Sequence, residues 1–402
     1  MFEEAPLAPP DPIFGLAEAY RADPRSDKIN LGIGVFRDDR GRTPIMQAVR
    51  RAAEKICSSE ATKTYLPIEG DPAYIEQVQM LLWGDDNPLL RDGCLVTAQT
   101  PGGTGAISVA ASFVKRLRPQ ASAWVSRPTW VNHSNIFETA GITVTAYDYL
   151  NHSRRGLAFD RMMDSLGSVS TGDVVVLHGC CHNPSGVDPN EDQWRQIAAL
   201  MRERGALPLI DLAYQGFGDG LEGDLIALDV LGGEFRELIV CSSFSKNFAL
   251  YNERVGALSV ITPSAESARA VLSQLKTNIR VSYSNPPAHG AAIVATILAD
   301  PELREIWQQE LAEMRSRIQE MRQLFARGLD DRKIRIGEGS NRDFLEHRGM
   351  FSFTGIEKSQ VEELRSRHGI YMLDSSRINF AALTSSSIDR VCDALATVAT
   401  MP

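Results

Sequence analysis

The 402-residue chain has no long apolar run. Its longest nearly unbroken apolar stretch, Ala291 to Ala299, falls far short of the ~20 residues that span a bilayer, so no membrane span is expected. A cysteine framework is missing too. Of the six cysteines none forms a C-x-x-C pair, and Cys180 and Cys181 are adjacent, which suits neither a zinc site nor a disulfide scaffold. Free thiols in a reducing cytoplasm are the expectation, with no metal. There is no excess of positive charge. Lys+Arg number 42 against Asp+Glu 51, a net charge of -9, so nucleic acid is not an expected partner. The start, Met1-Phe2-Glu3-Glu4 and then prolines, has neither the basic nor the apolar region of a signal peptide. Repeats and low-complexity tracts are absent. What remains is an ordinary globular mix, 43% hydrophobic and 23% charged, too apolar for a disordered chain. A small anionic ligand stays open, because a few local arginines can dominate a pocket.

Short runs rich in Val, Ile, Leu or aromatic residues recur through the middle of the chain. They are Ala121–Ser126, Ile142–Asp148, Asp173–Gly179, Leu207–Tyr214, Glu237–Phe244 and Val255–Ile261. Helix-like stretches alternate with them. Gly105–Arg116 closes with Lys115 and Arg116, and Asn190–Arg204 begins with a capping residue. This alternation predicts an α/β fold with a mostly parallel sheet covered on both faces. Ligands on such sheets sit beyond the carboxyl ends of the strands. Near residue 300 the pattern changes. Pro301–Leu329 reads as one long amphipathic helix bridging to a small α+β domain. That domain holds Met350–Ile356, a helix Ser359–His368, extended Ile370–Leu373 and Arg377–Phe380, and a last helix from about Ser386, joined by a strand Leu31–Phe36.

Residues that carry chemistry collect after the strands. Lys246, in Ser243-Phe244-Ser245-Lys246-Asn247, follows Glu237–Phe244 and precedes Arg254 by eight positions. A lysine there can form a Schiff base with an aldehyde cofactor while the cofactor's phosphate is held nearby. Asp211 lies in the apolar run Leu207–Tyr214, where a carboxylate is costly without a positive partner; a protonated pyridine nitrogen is one. His133 is a candidate donor behind Asp211. Tyr214 and Asn183, the latter in His182-Asn183-Pro184-Ser185-Gly186, are candidate donors to a phenolate oxygen. Thr100-Pro101-Gly102-Gly103-Thr104 opens a helix whose amides and dipole favour a phosphate, with the Thr104 hydroxyl adding a donor. It is neither a Walker A loop nor G-x-G-x-x-G, so a nucleotide is not the obvious ligand. Trp130 can stack on a flat ring. Arg280 and Arg377 are candidate carboxylate clamps.

As an ordered set these residues resemble the class I pyridoxal-phosphate aminotransferases, in their aspartate and aromatic branch. The resemblance runs from about Asp11 to the C-terminus. It includes Lys28-Ile29-Asn30-Leu31-Gly32-Ile33-Gly34-Val35, His178-Gly179-Cys180-Cys181-His182-Asn183-Pro184, Ala213-Tyr214-Gln215-Gly216-Phe217, Tyr251-Asn252-Glu253-Arg254-Val255-Gly256 and Tyr283-Ser284-Asn285-Pro286-Pro287.

The resemblance implies the aspartate aminotransferase-like fold. Its parts would be an arm at 1–10, a small domain from 11–43 and 314–402, and a large cofactor domain at 44–313. It implies that pyridoxal 5'-phosphate is held by Lys246, with Asp211 on the ring nitrogen and Asn183 and Tyr214 on the ring oxygen. Trp130 would stack on the ring. Gly102, Gly103, Thr104, Ser243, Ser245 and Arg254 would bind the phosphate, with Tyr65 reaching in from a second subunit of a homodimer. Arg377, beside Gly34, would grip the substrate α-carboxylate. Arg280 from the partner would meet a side-chain carboxylate, and Ala5–Pro12 would lie on the partner. The implied reaction is a ping-pong exchange between an L-amino acid and 2-oxoglutarate. Val35, Thr43, Thr104 and Asn285 favour aspartate as donor. Aromatic, polar or basic donors are the alternatives, and a β-lyase or decarboxylase outcome is a further one.

Three places depart from the family pattern. Asp374-Ser375-Ser376 precedes Arg377 where small residues and a final glycine are usual, Ala381-Ala382 follows where a glycine is expected, and Ser282 replaces a frequent asparagine. If Asp374 faced the pocket it would weaken dicarboxylate binding and favour a basic or polar substrate. A side chain turned to solvent is the favoured reading.

Overall fold

The structure, a computed structural model, describes residues 2–7 and 12–399. The arm expected over Ala5–Pro12 therefore falls partly on positions 8–11, outside the described residues. A short strand, β1 (Ile29–Asn30), precedes seven that form one sheet. These are β2 (Leu95–Pro101), β3 (Ser122–Arg127), β4 (Thr143–Asp148), β5 (Val174–His178), β6 (Leu207–Leu212), β7 (Leu238–Ser243) and β8 (Val255–Ile261). Three short strands follow: β9 (Phe351–Phe353), β10 (Ile370–Tyr371) and β11 (Arg377–Asn379). The large sheet runs in the order β2-β8-β7-β6-β5-β3-β4, and only β8 is antiparallel to its neighbours. Strands β5, β7 and β8 are buried along their whole length, as strands covered on both faces must be.

All six runs expected in the middle of the chain are strands of this sheet. A seventh, β2, was not foreseen, although it too is a bounded run with Val and Thr. It leads directly into the helix Gly102–Leu117, and so sets the glycine-rich turn at the same end of the sheet as the other functional loops. The helix Glu191–Arg204 has the foreseen cap, with Asn190 and Gln193 exchanging hydrogen bonds in a capping box.

Leu31–Phe36 is not a strand. β1 ends at Asn30, whose side-chain oxygen accepts hydrogen bonds from the amides of Gly32 (3.0 Å) and Ile33 (3.4 Å) and bends the chain there. Strand β1 pairs in parallel with β10, Ile29 opposite Ile370, so the two ends of the chain meet. β9 and β11 form a separate antiparallel pair, with Arg377 opposite Phe353.

The helix Pro301–Asp331 begins at Asp300, whose carboxylate accepts from the amides of Glu302 and Leu303, with Pro301 in the first turn. Two of its residues tie it to the site. Arg322, buried, donates to the carbonyls of Phe344, Gly349 and Phe351 and to the Ser352 hydroxyl, and so holds β9 in place. Trp307, also buried, stacks on Phe248 with ring centroids 4.4 Å apart and donates to the Asn247 carbonyl at 2.8 Å, one residue beyond Lys246. Replacing Trp307 by Ala is expected to cost about 3–5 kcal/mol of stability by opening a cavity there. Urea unfolding monitored by circular dichroism measures this; a loss below about 1 kcal/mol contradicts that packing role.

Candidate active site

The loops that follow β2, β3, β5, β6 and β7 converge at one end of the sheet. They enclose a cavity of about 230 Å³ lined by Gly103, Thr104, Trp130, Asn183, Asp211, Tyr214, Ser243, Ser245, Lys246 and Arg254, together with Ala213 and Tyr251. Ten expected residues thus meet in one place. Ala213 and Tyr251 had no foreseen role. Tyr251 accepts a hydrogen bond from the Phe36 amide at 3.0 Å, and so ties this cavity to the N-terminal segment.

One end of the cavity gathers groups that suit a phosphate. The Gly102–Leu117 helix points its N-terminus there, and Gly102 has φ +72. A Cβ on Gly102 would lie 2.4 Å from the Arg254 guanidinium, and one on Gly103 would lie 3.0 Å from the Ser243 Cβ. Arg254 donates to the Ser245 hydroxyl at 3.2 Å, and Ser243 donates to the same oxygen at 3.2 Å. Amides, hydroxyls and a guanidinium gather here, and the one carboxylate among the cavity's lining residues is Asp211.

The opposite end carries a buried charge. Asp211, opposite His178 in the β5–β6 register, is 7% exposed and is bonded by His133 Nε2 at 3.1 Å. Burial works against its charge, but the hydrogen bond from His133, with smaller help from His178 and Lys246, leaves its pKa below the ordinary carboxylate value. His133 is fixed through Nδ1 by the Thr129 hydroxyl at 2.7 Å, and that hydroxyl also meets His178 at 3.0 Å. Burial holds His178 well below its usual pKa and His182 at about 3, so both rings are neutral at pH 7. Asp211 is thus held by His133 and backed by the neutral rings of His178 and His182, and no lysine or arginine bonds it among the described residues. This matches the need of a protonated ring nitrogen.

Lys246 stands between these ends, with Nζ 4.7 Å from the Tyr214 ring centre. Burial lowers its pKa to about 8, against the pull of Asp211 and with Arg254 adding to the drop. Tyr214 is pushed above its usual value by burial and so stays a neutral donor. Asn183 accepts from Arg377 Nη1 at 3.2 Å through Oδ1, which leaves its amide nitrogen for the cavity. Its position is set by His182, which is bonded to Ser126 and Ser185 and stacked on Tyr149 at 3.9 Å. A phosphate cradle, a buried carboxylate and a lysine of lowered pKa between them fit pyridoxal phosphate.

Trp130 and Asn183 also line a second cavity of about 530 Å³ that reaches Arg377. Arg377 is 3% exposed, stacks on Phe351 with Cζ 4.1 Å from the ring centre, and donates to the Gly32 carbonyl at 2.6 Å. Burial lowers its pKa to about 10, which leaves it cationic at pH 7. Gly34 approaches the same ring, where a Cβ would come within 2.9 Å of Phe351. The Gly32 contact carried no side-chain signal in the sequence. Ser376 takes the left-handed conformation of the glycine it replaces, φ 69, and its oxygen accepts from the Gly355 amide. Asp374 lines the same cavity as Arg377, about half exposed, and its carboxylate is bonded to Arg365 at 2.6 Å and lies 3.5 Å from Lys358. Ala381 and Ala382 are buried in a single 3-10 turn, and Ser282 bonds its own helix at the Asn278 carbonyl.

Tyr65 and Arg280 do not enter this chain's cavities. Tyr65 is 91% exposed, and Arg280 bonds Ser284 on the surface. Asn285 donates to the Leu66 carbonyl at 3.2 Å, which joins their two segments into one face where Val281 is 81% exposed.

Among known families, the model of aminotransferase class I and II matches residues 26–395. The chain is 48% identical over 401 residues to an aspartate aminotransferase of Salmonella typhi, covering 99% of this chain and 100% of the relative. It is 43% identical to an aromatic-amino-acid aminotransferase of Pseudomonas aeruginosa, covering 99% and 98%. In three dimensions it matches the aromatic-amino-acid aminotransferase of Burkholderia pseudomallei covalently bound to pyridoxal phosphate, at TM-score 0.96 and 46% identity over 100% of both chains. The chain belongs to the class I and II aminotransferases. Within them it is an enzyme of the aspartate and aromatic amino-acid class.

The lowered pKa of Lys246 has a direct consequence. Only the neutral amine attacks an aldehyde, so the rate at which the cofactor-free chain captures pyridoxal phosphate rises as pH increases through about 8, then levels. Stopped-flow absorbance measures it. A rate still climbing steeply near pH 10 contradicts the assignment.

Proposed function

We propose that the chain transfers an amino group between L-aspartate and 2-oxoglutarate, using pyridoxal phosphate, in a cytoplasmic homodimer. The carrying observation is Lys246 placed between the phosphate cradle and Asp211 in one cavity. When bound, pyridoxal phosphate supplies an aldehyde for the substrate amine and a ring that draws electrons from the α-carbon. The chain's own residues do the rest. Gly102, Gly103, Thr104, Ser243, Ser245 and Arg254 bind the phosphate. Asp211, steadied by His133, keeps the ring nitrogen protonated and so strengthens the electron sink. Asn183 and Tyr214 donate to the ring oxygen, and Trp130 covers the ring face. Arg377 grips the substrate α-carboxylate, which orients the α-hydrogen toward Lys246, and Nζ takes that proton as general base. The amino nitrogen would stay with the bound cofactor while the first oxo acid leaves, and Arg377 would then grip the second oxo acid that receives it.

Aspartate is favoured over aromatic donors because Arg280, carried by the partner together with Tyr65, supplies a cation for a second carboxylate. The exposure of Tyr65 and Val281 on one face supports a dimer built there. The division into 44–313 and a unit of 11–43 with 314–402 is part of the same reading, and places Arg377 and Lys246 on different units.

The test is spectral. Adding aspartate to the yellow holoenzyme should convert its visible band to that of the pyridoxamine form, and 2-oxoglutarate should restore it. Lys246→Ala should lose about 10³-fold or more in that rate. Light scattering should give twice 44.2 kDa. No spectral change with any amino acid would sink the proposal. Release of ammonia or carbon dioxide without an oxo-acid acceptor would favour the lyase or decarboxylase reading.

A further inference from the structure

The cofactor cavity lies at the carboxyl ends of β6 and β7. A separate cavity of about 440 Å³ lies at the other end of the same two strands, and no described residue lines both. Leu207, which opens β6, and Leu238, which opens β7, line it together with Ile261, the last residue of antiparallel β8. Phe113 and Val114, late in the Gly102–Leu117 helix, and Val271, in the helix Ala265–Ser282, complete its apolar wall. Protein interiors close such gaps with side chains, and this volume is that of a small-molecule pocket. Leu117, also in the lining, is 52% exposed, so the apolar wall continues to the mouth.

The polar groups of the lining decide what it would take. Its hydroxyls are already committed. Thr262 donates to the carbonyls of Cys94 at 2.8 Å and Ser264 at 3.1 Å, Thr171 donates to the Arg204 carbonyl at 3.1 Å, and the Ser267 hydroxyl meets that of Ser264 at 3.1 Å. Arg202 and Glu234 are paired with each other. That leaves Arg118, Arg236 and Glu237, all exposed, whose side chains make no hydrogen bond or ion pair with a described residue. Two free guanidiniums against one free carboxylate give the rim a positive balance. An apolar interior under a cationic rim complements one anionic group on an apolar body. A second carboxylate on the ligand would be pressed into the apolar wall, and an ammonium would meet the two arginines. We propose that this cavity binds an apolar monocarboxylate of about eight to ten carbons, its carboxylate at the Arg118 and Arg236 rim and its body against the apolar wall. The site is independent of the transaminase reading, because Lys246 and Arg377 line other cavities.

The test uses the holoenzyme and calorimetry with octanoate, hexanoate, 1-octanol and octylammonium. One variant carries Arg118→Gln and Arg236→Gln together, both on the exposed rim. The other, Val271→Trp, fills the cavity. Octanoate should bind the wild type, and the double variant should raise its Kd about tenfold while keeping the wild-type circular dichroism and cofactor absorbance. Hexanoate, two methylenes shorter, should bind about tenfold more weakly than octanoate. Octanol and octylammonium should each fall below octanoate by about tenfold or more. Val271→Trp should remove the site. Any octanoate held at Arg377 is common to all three proteins and cancels in the comparison. An octanoate Kd unchanged in the double variant would place the binding elsewhere and overturn the inference. So would octanol binding as tightly as octanoate, or a wild type that takes up no octanoate. Should Val271→Trp fail to fold, the arginine variant and the ligand series decide the matter without it.

Discussion

A carboxylate held charged inside an apolar sheet is the constraint around which this molecule is arranged. Asp211 sits in the fully buried part of β6, where burial alone would neutralise it. It is kept ionised by a hydrogen bond from His133, itself fixed through Thr129 and His178. His178 and His182 are neutral and so do not cancel that charge. Such a group is unfavourable in a protein with no ligand and is compensated when a cation arrives. The same field raises the Lys246 pKa against the larger lowering by burial, and so couples the two ends of the catalytic apparatus.

Arginine is the second organising residue, and burial decides each fate. Arg322 saturates its fork on carbonyls around β9 and acts as scaffold. Arg155 ties together the turns around Ser340 and Thr354 through its two terminal nitrogens. Arg377 makes only part of its possible bonds, to Asn183 and Gly32, and keeps the rest for a ligand. Thus an acidic chain presents strongly positive pockets, because its net charge says little about the field inside one cleft.

Much of the site was legible because the fold exposes chemistry at strand ends. Lys246, Asp211, Tyr214 and Asn183 each follow or end a recognisable apolar run, and the Gly102-Gly103-Thr104 turn showed itself by glycines opening a helix. Five runs alternate with helices and one does not, which was enough for the parallel sheet. The hidden parts were of two kinds. Contacts made by main chain, such as the Gly32 carbonyl on Arg377, leave no residue-type mark. Roles set by neighbours, such as Tyr251 on Phe36 or His178 behind Thr129, become visible only when distant segments are brought together. Leu31–Phe36 misled because its apolar content suits a strand, while Asn30 captures the next two amides and turns the chain. Asp374 looked threatening beside Arg377 in sequence, and it does line the same cavity, but Arg365 claims its carboxylate.

The proposed role of Asp211 is to hold the bound ring nitrogen protonated. It is tested most directly by NMR of the holoenzyme carrying cofactor labelled at that nitrogen. A protonated-pyridine shift that persists well above neutral pH, and that moves to the unprotonated position in Asp211→Ala, is predicted. An unprotonated nitrogen in the wild type at pH 7 would contradict it.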